Sequence, residues 1–198
     1  MNEMEIQKLF ESYDGVMKTS ELQENGIHYR ALQKLIDEGI VEQVRRGYYQ
    51  LLDERAFTEV PAIAALFPDG VLCMESALDY YGYTERTPSA WHIAVDAKSS
   101  RKRFKIPEIS IKPHFVETSK FPIGIINGKI ADVTILVYDR ERTICDCLLH
   151  KNKMDPEVFN DAIKNYIKDE KKNQAALGEY ASMLRVEKKM REVLGAWL

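Results

Sequence analysis

The chain is short of cysteine, with three in 198 residues, and it has no apolar run approaching the roughly 20 residues that span a bilayer. The first scarcity excludes a disulfide-stapled scaffold. Cys145 and Cys147 lie two apart in a predicted helix and face different ways, and Cys73 stands alone. Such an odd, scattered set suits a reducing compartment, so a cytoplasmic location is expected. The second absence argues against a membrane protein, and the acidic, amphipathic start MNEMEIQKLF does not read as a signal peptide. No internal repeat, low-complexity tract or long linker is visible. The four histidines show no metal-ligand spacing, and neither a Ser–His–Asp set nor a phosphate-binding glycine loop can be assembled. No cofactor or metal is therefore expected. At 45% hydrophobic and 30% charged, the composition is that of a globular chain with room for one large domain or two small ones.

There is also little net charge, −3 overall, but it is unevenly spread. Residues 1–60 hold seven Lys/Arg against twelve Asp/Glu, and residues 96–129 hold eight against three. Nucleic-acid binding needs a local basic face rather than a basic domain, so the distribution matters more than the sum.

The pattern that stands out runs from Lys18 to Leu51. Before it, Met4, Ile6, Leu9, Phe10 and Tyr13 are spaced for a helix that Asp14-Gly15 ends. Val16 to Lys18 is a short extended piece. Thr19 or Ser20 is placed to cap a second helix, with Gln23 or Glu24 as capping-box partner, and Asn25-Gly26 closes it. A third helix is predicted over His28 to Glu38. Ala31, Leu32, Leu35 and Ile36 form its inner side, and Tyr29, Arg30, Gln33 and Lys34 its outer side. Arginine reads guanine bidentately and glutamine reads adenine, so that outer side suits a major groove. Two β-rich runs then flank Arg45-Arg46-Gly47 as a hairpin, whose arginines suit phosphate or minor-groove contact. This is the order of a winged helix-turn-helix. Candidate DNA contacts are Thr19, Ser20, His28, Tyr29, Arg30, Gln33, Lys34, Arg45 and Arg46.

Beyond a boundary placed near Arg55, the chain reads as α+β, a small, mostly antiparallel sheet covered by helices. The expected division is 1–56 and 57–198. Helices are predicted over Phe57–Phe67, Cys73–Tyr81, Asp139–His150 and near 156–168, 173–183 and 185–197. Strands are predicted at Trp91–Val95, Ile109–Val116, Ile123–Ile126 and Lys129–Val133, with Asn127-Gly128 as a hairpin turn. Lys98, Arg101, Lys102, Arg103 and Lys105 make a dense positive patch in a predicted loop, suited to DNA or to an acidic partner. Asp69 with Asp96 and Lys98 echoes the acid–acid–lysine set of magnesium-dependent nucleases, a short pattern that often arises by chance.

GIHYRALQKLIDEGIVEQVRRGYYQL resembles the N-terminal winged helix of the AbiEi-type antitoxins of type IV toxin–antitoxin systems. The shared features are a glycine before the third helix, Leu32 and Leu35, Gly39 after it, and the Arg46-Gly47-x-Tyr49 wing. ESALDYYGY, the strand Trp91–Val95 and a Tyr-x-x-Glu-Arg-Thr-x-x-Asp segment (Tyr138, Glu141, Arg142, Thr143, Asp146) extend the likeness. His28 departs from the serine or threonine usual at the start of the recognition helix. The resemblance implies a promoter-binding autorepressor whose C-terminal part counteracts a nucleotidyltransferase-like toxin, in general without a stable complex. On that reading the partners are double-stranded promoter DNA and the toxin, with no membrane, and the chain is not an enzyme. The alternatives are a magnesium-dependent nuclease with a DNA-targeting head and a ligand-sensing repressor without a toxin.

Overall fold

The computed structural model describes residues 2–52, 59–107 and 109–195. The expected boundary near Arg55, between 56 and 57, lies outside the described residues, as do the start of the Phe57 helix and residues 196–197 of the last one. Contacts divide the chain into two compact units. One holds Met1–Pro68 with Lys129–Val133, the other Asp69–Gly128 with Thr134–Leu198.

The first unit begins with α1 (Glu3–Glu11), β1 (Val16–Lys18), α2 (Thr19–Glu24) and α3 (Tyr29–Asp37). The strands β2 (Val41–Arg45) and β3 (Tyr48–Leu51) and helix α4 (Val60–Leu66) follow. Asn2 caps α1 reciprocally: its Oδ1 accepts from the Glu5 N–H at 2.9 Å while Glu5 Oε2 accepts from the Asn2 N–H at 2.8 Å. The strands form an antiparallel sheet in the order β1-β3-β2. Ile6, Phe10, Met17, Leu22, Ile27, Leu32 and Val41 make its core, with Leu35 and Ile36 packed at the margin. Ala31, expected on the inner side of α3, is exposed; the apolar stripe is narrower than the sequence suggests. This order of elements is compatible with a winged helix-turn-helix.

The second unit carries a five-stranded sheet in the order β6-β5-β4-β8-β7. These are β4 (Val71–Leu72), β5 (Trp91–Asp96), β6 (Ile111–Val116), β7 (Ile125–Ile130) and β8 (Val133–Tyr138). The α+β class holds, and the pairing is mixed: β4 is antiparallel to β5 but parallel to β8, and β5 is parallel to β6. The helices are α5 (Met74–Tyr80), α6 (Arg140–His150), α7 (Pro156–Lys168), α8 (Gln174–Met183) and α9 (Glu187–Leu194). Helix α6 is central and packs against the other four. Its residues Glu141 to Leu148 are all buried, as the inner helix of a layered core must be.

The hairpin turn lies elsewhere than Asn127-Gly128. Strand β7 runs straight through that pair, and the chain reverses at Ala131-Asp132, whose φ values are +48° and +67°. Two consecutive left-handed residues are what a two-residue turn between twisted strands needs. Gly128 serves close packing instead. A Cβ there would come within 2.8 Å of both the Tyr80 hydroxyl and Val137 Cγ1.

Candidate nucleic-acid interface

Helix α3 turns one side wholly to solvent. Tyr29 is 76% exposed, and His28, Arg30, Gln33, Lys34 and Asp37 are exposed with it. His28 holds the N-cap backbone position but makes no side-chain cap, so the first N–H groups of α3 remain available as donors. The candidate readers are not equally free. Gln33 Nε2 donates to Asp37 Oδ1 at 2.9 Å, and Lys34 Nζ lies 3.6 Å from Glu38. Arg30 meets no acid among the described residues. The cationic character of α3 is therefore concentrated in its first turn, where the helix dipole is also positive, while the acids gather at the far end. This partly offsets the acidity of residues 1–60: the acids need not approach the duplex if α3 enters by its N-terminal end.

The hairpin is tighter than expected. Arg45 belongs to β2, half-buried and opposite Tyr48 after an irregularity at Gln43/Arg45, so the tip is Arg46-Gly47 alone. Gly47 has φ +83° and its carbonyl accepts from the Thr19 N–H at 3.0 Å. That bond anchors the wing tip to the start of α2 and leaves Arg46 exposed beside it. Thr19 and Ser20 do not cap α2. The cap position is Lys18, whose N–H donates to Glu21 Oε2 at 2.7 Å. The helix starts one residue early because β1 delivers Lys18 in an extended conformation and Glu21 satisfies its amide.

The basic patch in the second unit is not a loose loop. Arg101 to Phe104 form a 3-10 turn anchored by buried Phe104. Arg103 is taken up by Asp69, its Nη1 reaching Oδ2 at 2.7 Å, and Arg101 lies over the Phe115 ring at 4.6 Å. Lys98, Arg101, Lys102 and Lys105 remain exposed. The ion pair gives Asp69 a structural partner and holds its carboxyl below the usual range. Asp96 Oδ1 instead accepts from the Lys98 N–H at 2.8 Å and the Thr118 hydroxyl at 3.2 Å, which lowers its pKa. Among the described residues no three His, Cys, Asp or Glu side chains gather closely enough to hold a metal ion.

The Tyr138–Asp146 segment is a buried scaffold. Arg142, 1% exposed, donates from Nε to Asp146 Oδ1 at 3.0 Å and from Nη1 to the carbonyls of Lys120 and Ile123 at 2.7 and 2.8 Å. Its guanidinium lies 4.1 Å from the Tyr138 ring centre. Asp139 caps α6 through the Arg142 N–H and accepts from the Tyr180 hydroxyl; Glu141 accepts from the Asn173 N–H at 2.6 Å. Burial raises the pKa of Asp146 to about 6 against the opposing pull of Arg142. The roles of these residues were not assigned from sequence. Arg and Asp four apart inside an apolar helix were the available signal for a buried pair.

Residues 4–52 match the model of a family described as a transcriptional regulator, AbiEi antitoxin. No curated protein matches the chain. The fold is similar to the crystal structure of the RV2827C protein from Mycobacterium tuberculosis. That likeness has a TM-score of 0.64 at 14% identity and covers 96% of this chain and 79% of the other. The AbiEi resemblance read from the sequence is thus supported over the stretch that holds α1, α2, α3 and the basic hairpin.

Proposed function

We propose that the chain is a transcriptional autorepressor and antitoxin. It binds an inverted repeat in its own promoter through α3 and the Arg46 wing, and its second unit counteracts a co-encoded nucleotidyltransferase-like toxin. It catalyses no reaction in this role. One observation carries the reading: within one unit, a helix with an open side bearing Tyr29, Arg30, Gln33 and Lys34 stands with a hairpin whose arginine tip is fixed by the Thr19–Gly47 bond. The family matched by residues 4–52 supports it. Arg30 and Gln33 are assigned to base edges, and Tyr29, Arg46 and the α3 N-terminus to phosphates. Lys34, already paired with Glu38, adds mainly to the field.

The test separates the two activities in the full-length protein. Arg30→Ala combined with Arg46→Ala should release a promoter reporter from repression yet still rescue growth when the neighbouring toxin gene is expressed. Undiminished repression would overturn the DNA assignment. Loss of rescue in a variant that is folded and present at normal level would overturn the division of labour.

A further inference from the structure

Inside the second unit a cavity of about 250 Å³ opens between β6 and α6. At roughly 30 Å³ per liquid water it has room for about eight waters, or one compact organic molecule. His114, Phe115, Asp146, Leu149, His150 and Leu184 line it. Met74, in the same wall, has a left-handed φ of +47°, a costly conformation for a non-glycine side chain and one that tends to accompany binding sites.

The cations of this wall are already engaged, Arg142 with Asp146 and Lys120 with Glu117, which leaves acceptors to meet a ligand. Asp146 receives one hydrogen bond, from Arg142 to Oδ1. No donor reaches Oδ2 among the described residues, yet none of their buried side-chain polar atoms lacks a partner. Oδ2 is therefore open to the cavity. His114 supplies a second acceptor. Its Nε2 lies 3.2 Å from His92 Nδ1, and His92 Nε2 faces Glu75 at 4.0 Å. A proton on His92 Nε2, toward the acid, leaves Nδ1 to accept from His114 Nε2–H. The free lone pair of His114 is then on Nδ1. Because Arg142 already balances the charge of Asp146, the wall suits an uncharged donor rather than a full cation, and its apolar residues suit a flat ring.

We propose that this cavity binds a small, uncharged, amino-substituted nitrogen heterocycle, with the amino group donating to Asp146 Oδ2 and the ring held among Phe115, Leu149 and Leu184. The site lies wholly in the second unit and is independent of DNA binding, so either can fail alone.

Titration calorimetry on the full chain with 2-aminopyrimidine, cytosine and adenine tests it, with 2-(dimethylamino)pyrimidine as a probe of similar shape that has no N–H. At least one amino compound should bind saturably at one site, and the dimethylated probe should not. Asp146→Asn should weaken binding at least about tenfold. His150→Trp fills the half-buried edge of the cavity, lies outside the Arg142 network and should abolish binding even if Asp146→Asn fails to fold. No saturable binding by any amino compound, equal binding of the dimethylated probe, or unchanged affinity in His150→Trp would each overturn the site.

Discussion

Arg142 is a point of polar convergence in the second unit. Four groups from three segments converge on it: Asp146, the Lys120 and Ile123 carbonyls, and the Tyr138 ring. Gly124, at φ +77°, is held against it so closely that a Cβ would meet Arg142 Cβ at 2.5 Å. Removing one partner of a buried ion pair leaves the other charged and unsolvated. Arg142→Ala should therefore lower the free energy of unfolding by about 3–5 kcal/mol in a urea titration. A loss below about 1 kcal/mol would mean the network is incidental. The histidines give a second prediction at this scale. Burial holds His92 at about 3 and His114 at about 4, below the ordinary 6.5, and also lowers His150. Their neutral forms are favoured in the fold, so the unfolded chain takes up protons first, and stability falls as pH drops below about 6.5. Asp146 acts with the opposite sign, because its raised pKa lets the folded state bind a proton first between about 6 and 3.8. From pH 7 to pH 6 the histidine contribution therefore dominates. The urea midpoint should fall over that interval, and His114→Phe should flatten the fall; an unchanged slope would contradict the assignment.

At the scale of the element, what could be read from the sequence follows from how local each signal is. Helices α1, α3, α6, α7 and α8 lie within about two residues of their predicted bounds, because apolar periodicity is written in neighbouring positions. Strand β4 was not anticipated. Two residues carry no periodicity, and β4 exists only because β5 and β8 flank it. The β7–β8 turn was misplaced for a related reason. Asn127-Gly128 is a strong local turn signal, but the packing of Tyr80 and Val137 requires a glycine there for space. Gly128→Ala should accordingly cost about 1–3 kcal/mol through overpacking, whereas replacing Ala131-Asp132 by Asn-Gly should add about 0.5–1 kcal/mol by easing two left-handed residues. Stability changes in the reverse order would restore the turn to 127–128. The candidate interface was legible as a set of residue types. Its internal pairings, Gln33 with Asp37 and Lys34 with Glu38, depend on i,i+4 neighbours, which a division into inner and outer faces does not reveal.

At the scale of the whole molecule, the two units divide along chemical lines. The first combines a small antiparallel sheet with the short helices α1 to α4 and an open polar face. The second is a mixed sheet built around a buried Arg–Asp pair, with a patch of exposed cations and an internal cavity. Among the described residues no helix is long and apolar enough to cross a membrane. The net charge of −3 does not oppose the proposed DNA binding, because Arg30 is exposed in the first turn of α3, where the helix dipole is positive, and Arg46 is exposed at the wing tip. The most direct measurement is a gel-shift titration of the chain's own promoter at fixed salt, comparing wild type with Arg30→Ala and Gln33→Ala. The account predicts sequence-specific binding weakened by about 1–3 kcal/mol in each variant, with non-specific DNA affected less. Unaltered promoter affinity in both variants would contradict it.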